Sequence, residues 1–253
     1  MGISIFPNTK NYSPWVGCTE YSRGCKNCFA RQGSNDFGFR RSGTFRDLLD
    51  REKYGPGNTV YVCLNGDFWQ PAADGMRPEV WGMMGERPDL NFIMMTKRVD
   101  RIMADLPDWA TDADNIYFIT SVESQEEFDR RWRISEALPF RRKLITVAPI
   151  QEYVDITPLL HVTDQVFVMG EMGDPNTVTP CELEWVRGIM DDCVEFDVNF
   201  DLLMAGTVFS DGSSRRILMS YEDMMEPADE FGLHHESGTR SKCIHEPSFI
   251  FEE

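Results

Sequence analysis

Ser13-Pro14-Trp15-Val16-Gly17-Cys18-Thr19-Glu20-Tyr21-Ser22-Arg23-Gly24-Cys25-Lys26-Asn27-Cys28-Phe29-Ala30 is the stretch from which the rest of this chain is read. Three cysteines fall within eleven residues, with a glycine immediately before Cys18 and before Cys25. Glycine lets a backbone turn tightly, as a loop must if its thiolates are to converge on an iron–sulfur cluster. Three thiolates on a [4Fe-4S] cluster leave one iron open, and an open iron is a place for chemistry. Cys18, Cys25 and Cys28 are therefore the metal-ligating and catalytic candidates. Zinc is the competing metal, because Cys-x-x-Cys is half of a zinc knuckle. A structural zinc needs a fourth nearby ligand, and the next Cys or His in sequence is Cys63, inside a predicted strand. Three unconnected buried cysteines are a further reading, which the glycines and polar spacers disfavour.

Seven cysteines is an odd number, and Met1 to Ser13 lacks the basic flank and long apolar stretch of a secretory signal. Reduced thiols in a cytoplasmic protein are the expectation, with no disulfide framework. Cys63 and Cys193 read as ordinary buried residues. No apolar run approaches the roughly 18 residues a membrane helix needs, so no membrane partner is expected.

After the cysteine segment, short β-branched or aromatic runs alternate with amphipathic stretches, the pattern of a parallel sheet with crossover helices. Strands are predicted at residues 59–64, 91–95, 116–120, 143–147 and 165–169, with two more near 196–203 and leading into Gly17. Helices are predicted at residues 78–85, 99–104, 125–138 and 180–193. With 253 residues, one α/β barrel of about seven strands accounts for the chain. Residues 1–210 form the barrel, and residues 211–253, rich in Gly, Ser and acidic clusters, form an irregular C-terminal extension that covers it or is partly flexible.

Polar residues fall just past the predicted strand ends: Asn65, Gly66 and Asp67, then Thr96, Lys97 and Arg98, then Ser121 and Glu123, then Gly170 and Glu171. In parallel α/β folds that end of the sheet is the ligand face, which makes the nine other than Arg98 the cofactor-binding candidates. Turns and helix caps favour the same residue types. Phe68 and Trp69 could stack on a base, although aromatics at strand ends are more often core or rim packing. His234, His235, Cys243 and His245 are irregularly spaced for a second metal site.

The chain carries a formal charge of −17, which excludes a protein that coats nucleic acid with a uniformly basic surface. Residues 23–53 run the other way, with eight Lys or Arg against four Asp or Glu. A basic mouth on an acidic body steers a phosphate-bearing substrate to one place, with Arg40, Arg41 and Arg46 near phosphate. The plain alternative is a solvated loop whose arginines pair with local acids.

The cysteine segment, Leu64-Asn65-Gly66-Asp67-Phe68-Trp69, Met95-Thr96-Lys97-Arg98, Thr120-Ser121-Val122-Glu123, Val168-Met169-Gly170-Glu171-Met172-Gly173 and Glu184-Trp185-Val186-Arg187 together resemble the three-cysteine phage and prophage proteins allied to the radical S-adenosylmethionine superfamily. The resemblance covers roughly residues 11–209. It departs from the commonest superfamily spacing, since six residues separate Cys18 from Cys25, but the phage-type proteins resemble this longer loop. It implies a partial (β/α) barrel of the radical S-adenosylmethionine type and two cofactors, a [4Fe-4S] cluster and S-adenosyl-L-methionine. In that superfamily the methionine moiety chelates the open iron, and a 5′-deoxyadenosyl radical abstracts hydrogen. Asn65-Gly66-Asp67 would hold the methionine ammonium, Thr96 and Lys97 a carboxylate, ribose or phosphate, and Ser121, Glu123 and Glu171 the ribose or substrate. Gly170 would let backbone approach adenine. The resemblance further implies an electron donor such as a flavodoxin or ferredoxin, and a nucleic-acid or nucleotide substrate in the host cytoplasm of a bacteriophage. The candidate reaction is an isomerase step in thymidine hypermodification of phage DNA. A radical enzyme acting on a peptide or small metabolite, and a non-catalytic zinc or nucleic-acid-binding module, are the alternatives.

Overall fold

The sheet is built from runs such as Thr-Val-Tyr-Val and Gln-Val-Phe-Val-Met, whose residues are apolar on both faces, as strands covered on both sides must be. A computed structural model describes residues 2–4, 9–28, 30–31, 38–241 and 250–252. Its central sheet contains β1 (Thr9–Tyr12), β2 (Thr59–Val62), β3 (Asn91–Thr96), β4 (Ile116–Val122), β5 (Arg142–Val147), β6 (Gln165–Met169), β7 (Asn199–Met204) and β8 (His234–His235). They lie side by side in chain order, with β8 on the outer edge of β7. Every neighbouring pair from β1 to β7 is parallel, and β8 runs antiparallel to β7. A sequential parallel sheet with crossover helices, open between β1 and β8, is a mixed α/β partial (β/α) barrel.

Alternation along the strands divides the core. Val60, Val62, Phe92, Met94 and Phe118 pack in one cluster, and Tyr61, Ile93 and Ile119 in the other. The principal helices are α1 (Arg77–Gly85), α2 (Gln125–Ala137), α3 (Thr157–Leu160), α4 (Leu183–Glu195) and α5 (Tyr221–Glu230). Helix α2 starts where the Ser124 side chain accepts the Glu127 N–H, and it buries Phe128 and Arg131.

The differences from the sequence expectations have physical causes. Residues 99–104 form a 3₁₀ segment (Val99–Ala104) rather than an α-helix. The strand expected to lead into Gly17 is instead β1, after which the chain leaves the sheet at Pro14. Trp15–Val16 then pair with Arg40–Arg41 in a separate two-stranded ribbon. Beyond residue 210, helix α5 begins with a capping box between Ser220 and Asp223 and carries Met224 into the core. Arg240 donates to the Leu160 and Thr163 carbonyls, so the chain is tied to the barrel at least that far. Cys243 and His245 lie outside the described residues.

One glycine is fixed by packing alone. A Cβ on Gly170 would sit 2.0 Å from the Ala205 carbonyl oxygen, and one on Gly206 2.5 Å from the Glu171 carbonyl oxygen. The backbones after β6 and β7 touch there. Gly170→Ala is expected to destabilise the protein by at least about 1–3 kcal/mol, the usual cost of overpacking, and urea unfolding measures it. A midpoint equal to that of the unaltered protein would show that the two backbones separate freely.

Candidate active site

The cysteine loop is anchored to the barrel by backbone and side chain. Gly17 N–H donates to the Asn65 carbonyl at 3.1 Å, and Gln70 Nε2 donates to the Gly17 carbonyl at 2.7 Å. The Trp15 indole N–H reaches the Asp67 carbonyl at 3.2 Å. Gly66 faces Gly17 closely, since a Cβ there would lie 3.2 Å from the Gly17 carbonyl oxygen. Cys25 closes a 3₁₀ turn over Arg23–Cys25, and Cys28 N–H donates to the Cys25 carbonyl.

All three thiols face one cavity of about 110 Å³ at the C-terminal ends of β2, β3 and β4, walled by Gly66, Asp67, Thr96, Lys97, Arg98 and Ser121. A second cavity of about 130 Å³ adjoins it, sharing Cys25, Cys28, Met95, Lys97 and Ser121 and extending to Pro149, Gly170 and Glu171. Among the described residues, no three Cys, His, Asp or Glu side chains close on a single ion-sized point. Free thiols spread around a cavity wall suit a cluster that is itself several ångströms across, and their half-buried placement leaves the cavity side open.

Arg98 organises this wall. Its Nη1 lies 3.4 Å from Cys18 Sγ and 2.9 Å from Asp67 Oδ2, and its Nη2 donates to the Thr19 carbonyl at 2.7 Å and Thr19 Oγ1 at 3.1 Å. Asp67 also takes the Trp69 N–H, and Thr96 Oγ1 sits 2.9 Å from both of its carboxylate oxygens. Burial pushes the Cys18 thiol up to about 12, and the Asp67 carboxylate adds to the rise while Arg98 opposes it. Burial likewise raises Cys28. These thiols hold their protons near neutral pH and give them up on metal ligation.

A second network lies beneath Cys25. Lys97 Nζ is 3.2 Å from Glu123 Oε2, which also receives Arg131 at 3.0 Å, and Arg131 in turn pairs with Glu127. Burial raises the Glu123 carboxyl, but Lys97 and Arg131 outweigh it and hold the group below the usual carboxylate range. A Cβ on Gly24 would stand 2.8 Å from Lys97 Nζ and 3.0 Å from Glu123 Cγ, so the glycine before Cys25 is where the loop lies on this network.

The sequence candidates divide accordingly. Cys18, Cys25, Cys28, Gly66, Asp67, Thr96, Lys97 and Ser121 meet at the first cavity, and Gly170 and Glu171 at the second. Glu171 accepts Asn27 Nδ2 at 3.1 Å and Thr179 N–H at 2.8 Å, joining the cysteine loop to the end of β6. Asn65 is an exposed turn residue whose carbonyl holds Gly17, and Glu123 is wholly buried behind Lys97; neither lines either of these two cavities. Gly170 lacks a side chain because Ala205 lies against it, whatever else approaches. Phe68 and Trp69 take the packing reading: both are fully buried, in a cluster with Trp15, Trp81 and Phe118, and present no face to a base.

Asn27 and Arg131 were missed in sequence, and Gly24 was read only for the turn it permits before Cys25. Arg98 stood with Thr96 and Lys97 past the end of a predicted strand, with no role of its own given to it. In the basic segment, Arg23, Arg31, Arg46, Arg51 and Lys53 pair with Glu152, Glu20, Glu79, Asp89 and Asp47. Arg40 and Arg41 are exposed on the ribbon beside Trp15.

The Arg98–Asp67 pair is buried, with side-chain exposures of 4% and 9%. Removing one partner of such a pair costs about 3–5 kcal/mol, because the other charge is left uncompensated. Asp67→Ala is therefore expected to lose stability on that scale in urea, and Asp67→Asn, which keeps an acceptor for Arg98 and Thr96, distinctly less. Equal losses would remove Asp67 from the organising role given to it.

Solved structures of spore photoproduct lyase superpose on part of the chain. One, complexed with dinucleoside spore photoproduct, aligns with a TM-score of 0.45 and 13% identity over 64% of this chain and 56% of its own. A mutant with bound AdoMet and dinucleoside spore photoproduct aligns with a TM-score of 0.46 and 12% identity over 71% and 59%. The chain thus spans a little over half the length of these enzymes. No curated protein matches it in sequence. The family described as Protein of unknown function (DUF5131) matches residues 4–226, and the chain belongs to that family.

Proposed function

We propose that Cys18, Cys25 and Cys28 hold a [4Fe-4S] cluster and that the chain is a radical S-adenosylmethionine enzyme. The observation that carries the reading is the gathering of three thiols onto one cavity wall at the ligand end of a parallel sheet, facing Asp67, Thr96 and Lys97. When bound, the cluster supplies the electron that cleaves the sulfonium of S-adenosylmethionine and leaves a 5′-deoxyadenosyl radical to abstract hydrogen.

The chain's own residues bind and orient. A carboxylate accepts about four hydrogen bonds, so Asp67, with Thr96, Arg98 and Trp69 already on it, keeps room for one ammonium donor. Lys97 reaches both cavities and offers its ammonium to a carboxylate, held in place by Glu123. Ser121 and Glu171 supply polar groups to the second cavity for ribose, with Gly66 and Gly170 keeping the walls thin. An electron carrier such as a flavodoxin or ferredoxin completes the system.

The substrate we propose is a nucleic-acid component, and the candidate reaction is isomerisation of a glycyl-modified thymidine in phage DNA. An unactivated C–H bond resists the acid–base tools of side chains, which is why such a rearrangement calls for radical chemistry. Exposed Arg40 and Arg41 beside the cysteine loop support it. The ion pairs that absorb Arg31, Arg46 and Lys53 favour a second reading, a peptide or small metabolite.

Anaerobic reconstitution is expected to yield about four irons per chain and brown protein. Cys18→Ala, Cys25→Ala and Cys28→Ala should each lose the cluster, while Cys63→Ala, Cys181→Ala and Cys193→Ala keep it. The reduced protein should form 5′-deoxyadenosine and convert hypermodified phage DNA to a nucleoside of unchanged mass and new retention time. Colourless protein containing zinc would overturn the radical reading, and conversion of a peptide or metabolite with phage DNA untouched would overturn the nucleic-acid substrate.

A further inference from the structure

A third cavity, of about 570 Å³, opens beside the two at the cysteine loop, within the roughly 300–1,000 Å³ of small-molecule sites. Asn27 and Met172 stand in its wall and in that of the second cavity, so the two are separated by single side chains. The loop after β6 forms one side. The segment running into α5 forms the other, with Leu218 and Met224 buried and Tyr221 half-buried.

The wall chemistry is selective. Among the described lining residues Asp174 is the one charged side chain, and there is no Lys, Arg or His. A phosphate entering this space would find a carboxylate and no cation to neutralise it. A flat neutral ring finds polarisable methionine thioethers and the Tyr221 ring, which favour aromatic partners, and hydroxyls at Thr177 and Ser220 for its polar edge. A cation stands on the rim: Arg215 is exposed and its guanidinium donates to the Pro175 carbonyl at 3.0 Å. On the same rim Leu218 turns inward while Ile217 and Met219 are 57% and 80% exposed, leaving two large apolar side chains in solvent at the mouth.

We propose that this cavity is the substrate pocket and that it takes the uncharged base of a nucleoside, with any phosphate kept outside on the Arg215 side. The proposal rests on the reading of the cysteine site as a cofactor pocket, since adjacency across Asn27 and Met172 is what brings the ring within reach of that chemistry.

Saturation-transfer NMR on the reconstituted protein with S-adenosylmethionine, using thymidine as probe, tests it. Thymidine should be saturated more strongly at its base protons than at its ribose. Thr177→Trp, an exposed substitution at the rim, should weaken thymidine binding at least tenfold, and Tyr221→Ala should weaken it as well. Met103→Trp, exposed on a different part of the surface, should leave it unchanged. Absence of thymidine saturation in the unaltered protein, or full binding in both Thr177→Trp and Tyr221→Ala, would overturn the proposal. Iron content and 5′-deoxyadenosine formation report separately on the cofactor reading. Brown, S-adenosylmethionine-cleaving protein that ignores thymidine sinks the pocket alone. Colourless protein that binds thymidine in the cavity upholds the pocket and sinks the radical chemistry.

Discussion

One guanidinium holds the site together. Arg98 meets Cys18, Thr19 and Asp67 at once, and only a planar fork with five donors can serve a thiol, a carbonyl, a hydroxyl and a carboxylate from one buried position. A charge at that depth must be paired, so Asp67 is placed by Arg98 as firmly as by any ligand. Thr96 then completes the carboxylate's surroundings while accepting the Arg98 N–H, which fixes the turn at the end of β3. The position of the first cysteine therefore depends on how β3 ends.

Lys97, the neighbouring residue, serves the other half of the loop. Its ammonium lies under Gly24 and is held by Glu123, which Arg131 of α2 holds in turn. Two consecutive cations at one strand end thus reach opposite sides of the cysteine loop. The charges alternate through the network, cation to anion to cation, and alternation is what makes so many buried ionic groups tolerable. It also couples α2 and β4 to the loop, because Arg131 donates to the Ser121 carbonyl on the cavity wall at 2.7 Å.

The sheet was legible because its strands are short apolar runs separated by polar turns, and a parallel sheet covered on both faces demands that pattern. The strand-end candidates were legible for the same reason, since topology alone places Asp67, Thr96, Lys97 and Ser121 together. Their partners were not. Whether an Arg at the end of a strand turns back to a thiolate or out to solvent depends on packing that no local pattern encodes. Phe68 and Trp69 show the converse, because an aromatic pair at a strand end reads alike whether it faces a base or Trp81. Helix α5 did carry a signal, the Ser220–Asp223 capping box, but acidic clusters and Pro227 around it obscured the periodicity.

An open barrel leaves two problems at its last strand: an edge whose backbone groups need partners, and a ligand face that lacks a wall. The segment past residue 210 answers both. His234 and His235 pair with Asp201 and Phe200 along the exposed side of β7, and the Leu202 N–H donates to the Leu233 carbonyl. The helix just before that strand contributes Tyr221 and Met224 to the third cavity, while the Ala205 N–H donates to the Met224 carbonyl. Met224 therefore belongs to the core and to the cavity wall together. A change in how α5 docks would alter the cavity and the β7 edge in one movement, whereas the cysteine loop, tied to β2, β3 and α2 through Gln70, Arg98 and Lys97, would keep its anchors. The wall of the third cavity is thus free to vary in shape without disturbing the side chains that position the thiols.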